Sequence, residues 1–211
     1  MLLTILKVLI IGNSITYYNN FAERLMTQCQ NQQQEIRLET IFSPGLDIPI
    51  LIGQYLYGKE EAIIGKNFIL KPQYKYFDKK NNKYQDFVKL ILSYDLIYLQ
   101  SQYWNSQDFK DIVNEIFKIN PKIKLFILQT FSTAIWDKEI FTKEISDAYL
   151  IFQKTFKKQI NKRIYLLEFG NYLLDNFDNI NEYLDEIIHP TSKGTDIIIK
   201  LFVQQLQKIK K

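Results

Sequence analysis

The chain has 211 residues, enough to bury a core without disulfides or a structural metal. Hydrophobic residues make up 46% and charged residues 24%, ordinary globular usage that argues against a disordered chain, and a net charge of +4 spread over both signs is too mild to point to nucleic acid on its own. One cysteine, Cys29, and one histidine, His189, exclude an internal disulfide, a cysteine-rich metal site and a two-histidine zinc site, so neither metal nor cofactor is expected.

The first apolar run, Met1 to Ile11, is broken by Lys7, is followed by no small-residue cleavage pattern, and is well short of the ~20 residues that span a membrane. It reads as a buried strand over Lys7–Ile11, in a cytoplasmic protein with no membrane span. Gly12-Asn13-Ser14 comes directly after it. Ligands of a parallel α/β sheet bind beyond the carboxyl ends of the strands, so Ser14 stands where a reactive hydroxyl belongs. Glycine lets the chain turn sharply there, and the helix that follows offers free N–H groups to an anion. Taken alone, the tripeptide fits equally a serine that merely caps a helix.

Phe21, Leu25 and Cys29 recur at four-residue spacing, with Asn20 and Glu23 placed as a capping box. Ile36–Phe42 is the second strand. The stretch from Gly58 to Asn82, basic and rich in Tyr and Asn, reads as a solvated insertion, with a loop or hairpin beside the site as the alternative. Leu96–Gln100 is the third strand, and Phe109, Ile112, Val113, Ile116 and Phe117 form a one-face helical stripe ended by Pro121. A fourth strand over Ile123–Thr130 precedes a helix marked by Phe141, Ile145, Ala148, Phe152 and Phe156. Ile164–Phe169 is the fifth strand, and Ile199, Phe202, Leu206 and Ile209 mark a last helix, whose end carries Lys208, Lys210 and Lys211 against the negative end of its dipole. Short apolar runs alternating with amphipathic segments are the pattern of βα units around a parallel sheet, and continuous runs suit strands buried on both faces. No linker or repeat divides residues 1–211, so one domain is expected.

Before the last helix lies Asp185-Glu186-Ile187-Ile188-His189-Pro190. Carboxylates three and four residues before an imidazole can hold the ring through Nδ1–H and leave Nε2 free to take a proton from a hydroxyl. Any imidazole base in this chain has to be His189.

With Gly12-Asn13-Ser14 after strand one and Glu186-x-x-His189-Pro190 before the last helix, the chain resembles the SGNH (GDSL-type) hydrolase superfamily. The stretches 12–19 and 189–195 are similar to one branch of it in particular. No G-x-S-x-G elbow surrounds Ser14, so the α/β-hydrolase fold is not implied. The resemblance implies a three-layer α/β/α sandwich with a flavodoxin-like parallel sheet of about five strands. It implies Ser14 as nucleophile, His189 as general base and Glu186 at the position of the acid, with Asp185 as the alternative. It further implies oxyanion donors at the Gly45 N–H, in Ser43-Pro44-Gly45, and at Gln102, which in Leu99-Gln100-Ser101-Gln102 takes the place of the usual asparagine and is preferred to Gln100. The implied activity is hydrolysis of a carboxylic ester through an acyl-enzyme on Ser14, the substrate being a small-molecule or carbohydrate ester such as an O-acetyl group. Acyl transfer from the same site is an alternative. So is an inactive binding module, because Asn13, the acid and the missing asparagine all depart from the family pattern.

Overall fold

Strands whose two faces are both apolar have to be covered on both sides, and that requirement sets the architecture. The computed structural model describes residues 5–42, 48, 52, 82–102, 104, 106–185 and 189–209. Strands β1 (Leu6–Gly12), β2 (Ile36–Phe42), β3 (Leu96–Leu99), β4 (Lys124–Leu128) and β5 (Ile164–Leu167) form a parallel sheet in the order β2-β1-β3-β4-β5. This is the flavodoxin-like order, in which the connections run to opposite sides of the sheet from β1, leaving a crevice at the carboxyl ends of β1 and β3.

The helices are α1 (Ser14–Tyr17), α2 (Phe21–Asn31), α3 (Asn82–Leu92), α4 (Gln107–Ile119), α5 (Lys138–Phe156), α6 (Phe169–Asp175) and α7 (Ser192–Ile209). Side chains alternate across the pleat, so Leu9, Ile11, Ile97, Leu99, Leu125 and Ile127 enter one core, while Val8, Ile10, Leu96, Tyr98, Phe126 and Leu128 enter the other. Helices α3 and α4 cover the first face; α2, α6 and α7 cover the second. Helix α5 serves both, giving Phe141 and Ile145 to the second core and Phe152 and Phe156 to the first. Each such side chain contributes roughly 1.5–3 kcal/mol by leaving water.

The stripes of α2 and α4 are buried as their spacing predicts. The starts of α4 and α5 follow side-chain chemistry: Ser106 Oγ accepts from Phe109 N, and Asp137 Oδ1 accepts from Glu139 N and Ile140 N. The capping box at α2 does not form. Asn20 adopts the left-handed conformation (φ 54°) and makes no side-chain cap bond, because a turn of chain between α1 and α2 takes precedence over the cap. Strands three to five are shorter at their carboxyl ends than their apolar runs, and Phe169 opens α6 instead of closing β5. Helix α3 was not marked by the sequence pattern. The stretch from Gly58 to Asn82 lies outside the described residues except for Asn82. No helix among the described residues is long and apolar enough to cross a membrane.

Candidate active site

Gly12 ends β1 and Asn13 caps α1, so Ser14 is the first helical residue beyond the carboxyl end of the strand, half-buried. The Asn13 side chain accepts from Ile15 N at 3.1 Å, fixing the first turn. The atom used is Oδ1, which an aspartate would also offer, so asparagine at this position keeps the turn intact. Gly12 is needed for space and not for a left-handed turn. A Cβ there would stand 2.7 Å from Thr16 Oγ1 and 3.1 Å from Gln100 Oε1.

Beneath this turn lies a buried polar layer. Asn13 N donates to Gln100 Oε1 at 2.8 Å, and Thr16 Oγ1 donates to the same oxygen at 3.2 Å. The Tyr98 hydroxyl lies 3.3 Å from Thr16 Oγ1. Burial pushes the Tyr98 phenol well above the usual tyrosine range, against the smaller opposing effect of the Thr16 hydrogen bond, so the layer carries no charge.

On the other side of the crevice the chain folds back on itself before α7. Leu184 and Pro190 form an antiparallel bridge, and Asp185 N donates to His189 O at 2.8 Å. Asp185 uses its carboxylate twice: Oδ1 accepts from His189 N at 2.8 Å, and Oδ2 faces His189 Nδ1 at 3.7 Å. The first is a hydrogen bond and the second only an ion-pair separation. The His189 side chain is 17% exposed, within reach of a ligand. Thr191 anchors the loop, donating to Glu182 O at 2.6 Å while its Oγ1 accepts from Gly194 N at 3.2 Å.

The segment that carries Ser14 also holds this loop. Tyr18 N donates to Ser14 O, and the Tyr18 ring stacks on the His189 ring. Asn19 Nδ2 donates to Pro190 O at 2.6 Å and to Thr195 Oγ1 at 3.2 Å. Asn19 and Asn20 are both left-handed (φ 56° and 54°), a conformation that asparagine tolerates better than most residues. Arg24 extends the tie, pairing with Asp196 and donating to Ser192 O at 3.2 Å. The two sequence motifs, 175 residues apart from Ser14 to His189, thus meet through a single stretch of five residues after the serine.

No protein-family model matches the chain, and no curated protein matches it in sequence. Solved structures do match along nearly its whole length. A lipase/acylhydrolase from Enterococcus faecalis superimposes with a TM-score of 0.61 at 11% identity, covering 97% of this chain and 96% of that one. A family 3 carbohydrate esterase from Clostridium thermocellum gives 0.59 at 11% identity, covering 95% and 94%. The C-terminal catalytic domain of peptidoglycan O-acetyltransferase A from Streptococcus pneumoniae gives 0.54 at 11% identity, covering 98% and 95%. The fold is that of the SGNH hydrolases.

Within the SGNH fold, Ser14 and Gln100 follow the adjacent strands β1 and β3 at the point where the chain order reverses. Gln102 is exposed; its carbonyl accepts from Thr130 Oγ1 at 3.3 Å, and it lines a small cavity of about 130 Å³ with Trp104, Thr130, Phe131 and Ser132 among others. Gly45 and Glu186 lie outside the described residues. A wider groove of about 860 Å³ runs between α2 and α7, and its lining includes neither Ser14 nor His189. Sequence reasoning gave Tyr18 and Asn19 no role beyond their place in the stretch 12–19, although the Asn19-Asn20 pair directly after Tyr18 is a signal for a left-handed turn.

Proposed function

We propose that this protein is a serine esterase that cleaves a carboxylic ester through an acyl-enzyme on Ser14. The observation that carries the reading is the meeting of the two motifs: the segment after Ser14 stacks Tyr18 on His189 and holds Pro190 through Asn19. Ser14 Oγ attacks the acyl carbon while its proton passes to His189 Nε2. The tetrahedral intermediate puts negative charge on the former carbonyl oxygen, which the Ser14 and Gly45 N–H groups and the Gln102 amide receive, each such donor being worth roughly 3 kcal/mol. The alcohol leaves with the proton from Nε2. Water then attacks the acyl carbon while Nε2 takes its proton, and the second intermediate collapses as Nε2 returns that proton to Ser14 Oγ and the acid leaves.

Asp185 is the better supported orienting carboxylate, because it already binds the His189 backbone and faces Nδ1. As the imidazolium forms, the 3.7 Å gap closes to a charge-assisted hydrogen bond, as catalytic contacts loose in a free enzyme commonly do. The substrate we favour is a short acyl ester, such as an O-acetyl group on a carbohydrate or small metabolite, since structures of this fold include a carbohydrate esterase.

The test is intact-mass labelling with a small fluorophosphonate. One adduct on the native protein, absent from Ser14→Ala, supports the reading and justifies a screen of acetyl and longer esters. An unlabelled, well-folded native protein that turns over no ester overturns it in favour of a binding module. Acyl transfer is a second reading because an acetyltransferase shares the fold; competing alcohols added to the assay separate the two by their products.

A further inference from the structure

We infer that Gln100 is a positioning residue for the nucleophile turn, holding the Gly12–Asn13 peptide so that the Ser14 N–H and hydroxyl keep one direction. The inference rests on the esterase reading of Ser14 and gives Gln100 a role other than an oxyanion contact.

Gln100 is fully buried, 0% exposed. Its Oε1 receives donors from both sides of Ser14: the Asn13 N–H immediately before it and the Thr16 hydroxyl two residues after it. The side chain rises from a fixed point, because Gln100 N donates to Ile11 O at 3.0 Å across the sheet. The absent side chain of Gly12 makes room for this approach, and the neutral Tyr98 hydroxyl stands next to Thr16. A buried N–H left without an acceptor has to find another. Removing Oε1 therefore turns the Gly12–Asn13 peptide and with it the start of α1.

The nitrogen end behaves differently. Gln100 Nε2 is buried and has no hydrogen-bond partner among the described residues, so the contacts that orient the carboxamide there are those of its oxygen. A group that presents the same oxygen without the amide nitrogen should do the same work. Oxyanion donors act only when aimed within a few tenths of an ångström of the developing charge, and a displacement of about 1 Å costs on the order of 100-fold in rate.

The experiment compares native protein, Gln100→Met and Gln100→Glu in saturation kinetics of fluorophosphonate labelling, with NMR hydrogen exchange at the Asn13 amide. A buried, protonated glutamate keeps the accepting carbonyl oxygen; methionine keeps only the volume. We expect Gln100→Met to label on the order of 10-fold to 100-fold more slowly at saturation with an unchanged half-saturating concentration, and to lose Asn13 amide protection. Gln100→Glu keeps both near native. Should Gln100→Met fail to fold, Gln100→Asn asks the same question with an arm too short to reach Asn13. A folded Gln100→Met that labels at the native rate, or a Gln100→Glu as slow as Gln100→Met, overturns the inference while leaving the esterase reading intact. Native protein that does not label overturns the esterase reading and the catalytic part of this one, and Asn13 exchange then still decides whether Gln100 holds the turn.

Discussion

The Tyr18 ring lies 4.2 Å from the His189 ring, centroid to centroid, at an interplanar angle of 15°. Stacking of this kind confines the plane of the imidazole, and it does so from the same segment that bears Ser14. Tyr18→Phe keeps the ring and is expected to retain most of kcat on an acetyl ester. Tyr18→Leu frees the imidazole and should lower kcat on the order of 10-fold with KM little changed. Equal kcat values for the two variants would remove the ring from the mechanism.

Asp185 and Glu186 can be separated by kinetics. Asp185→Ala loses both the hydrogen bond to His189 N and the charge facing Nδ1, and kcat should fall on the order of 100-fold or more. Asp185→Asn keeps an acceptor for His189 N and should fall between Asp185→Ala and native. Glu186→Gln is expected to leave kcat nearly unchanged. The reverse ranking would make Glu186 the triad acid.

Gly194 has no room for a side chain. A Cβ there would stand 2.1 Å from Tyr183 O and 3.3 Å from Pro190 Cβ, and Tyr183 O already accepts from Thr191 N. Gly194→Ala should destabilise the fold by about 3 kcal/mol through overpacking against backbone, read as a lower urea midpoint at constant slope. It should also slow Ser14 labelling in the protein that remains folded, because the displaced Tyr183 backbone leads into the bridged loop that carries His189. A native urea midpoint would mean that the loop gives way freely.

Helix α2 ends in a Schellman pattern: Gln34 N donates to Cys29 O and Gln33 N to Gln30 O, both at 2.9 Å. Its left-handed position (φ 56°) is filled by Gln33, exposed, where glycine is the usual occupant. Gln33→Gly should therefore stabilise the protein by about 1 kcal/mol, the cost of a side chain in that conformation, and raise Tm by about 2–4 °C. A lowered Tm would show that the flexibility gained by the unfolded chain outweighs the relief.

The sheet was legible because most of the five short runs are apolar on both faces, while Ile36–Phe42 alternates apolar with polar residues as a strand at the sheet edge can. The α4 stripe from Phe109 to Phe117 was legible because every third or fourth residue is large and apolar. Helix α3 escaped because its pattern follows directly on a basic, aromatic stretch that reads as insertion. Helix α6 escaped because Phe169 extends the apolar run of β5 without a break. At the site, Ser14 and His189 were given roles by motif, while Tyr18 and Asn19 lay inside the family-like stretch 12–19 without one, since their partners His189 and Pro190 are 171 residues further along. Gln100 presents the same difficulty: its buried carboxamide serves a peptide 87 residues upstream, and nothing local distinguishes it from Gln102, which is exposed.

Helix α5 has one end rooted in each hydrophobic compartment, Phe141 in one and Phe156 in the other. A helix is rigid over this length, so neither compartment can open without pulling a rivet out of its neighbour. The two faces of the sheet are therefore bound to melt as a single unit, and the crevice between β1 and β3 inherits its stiffness from both at once.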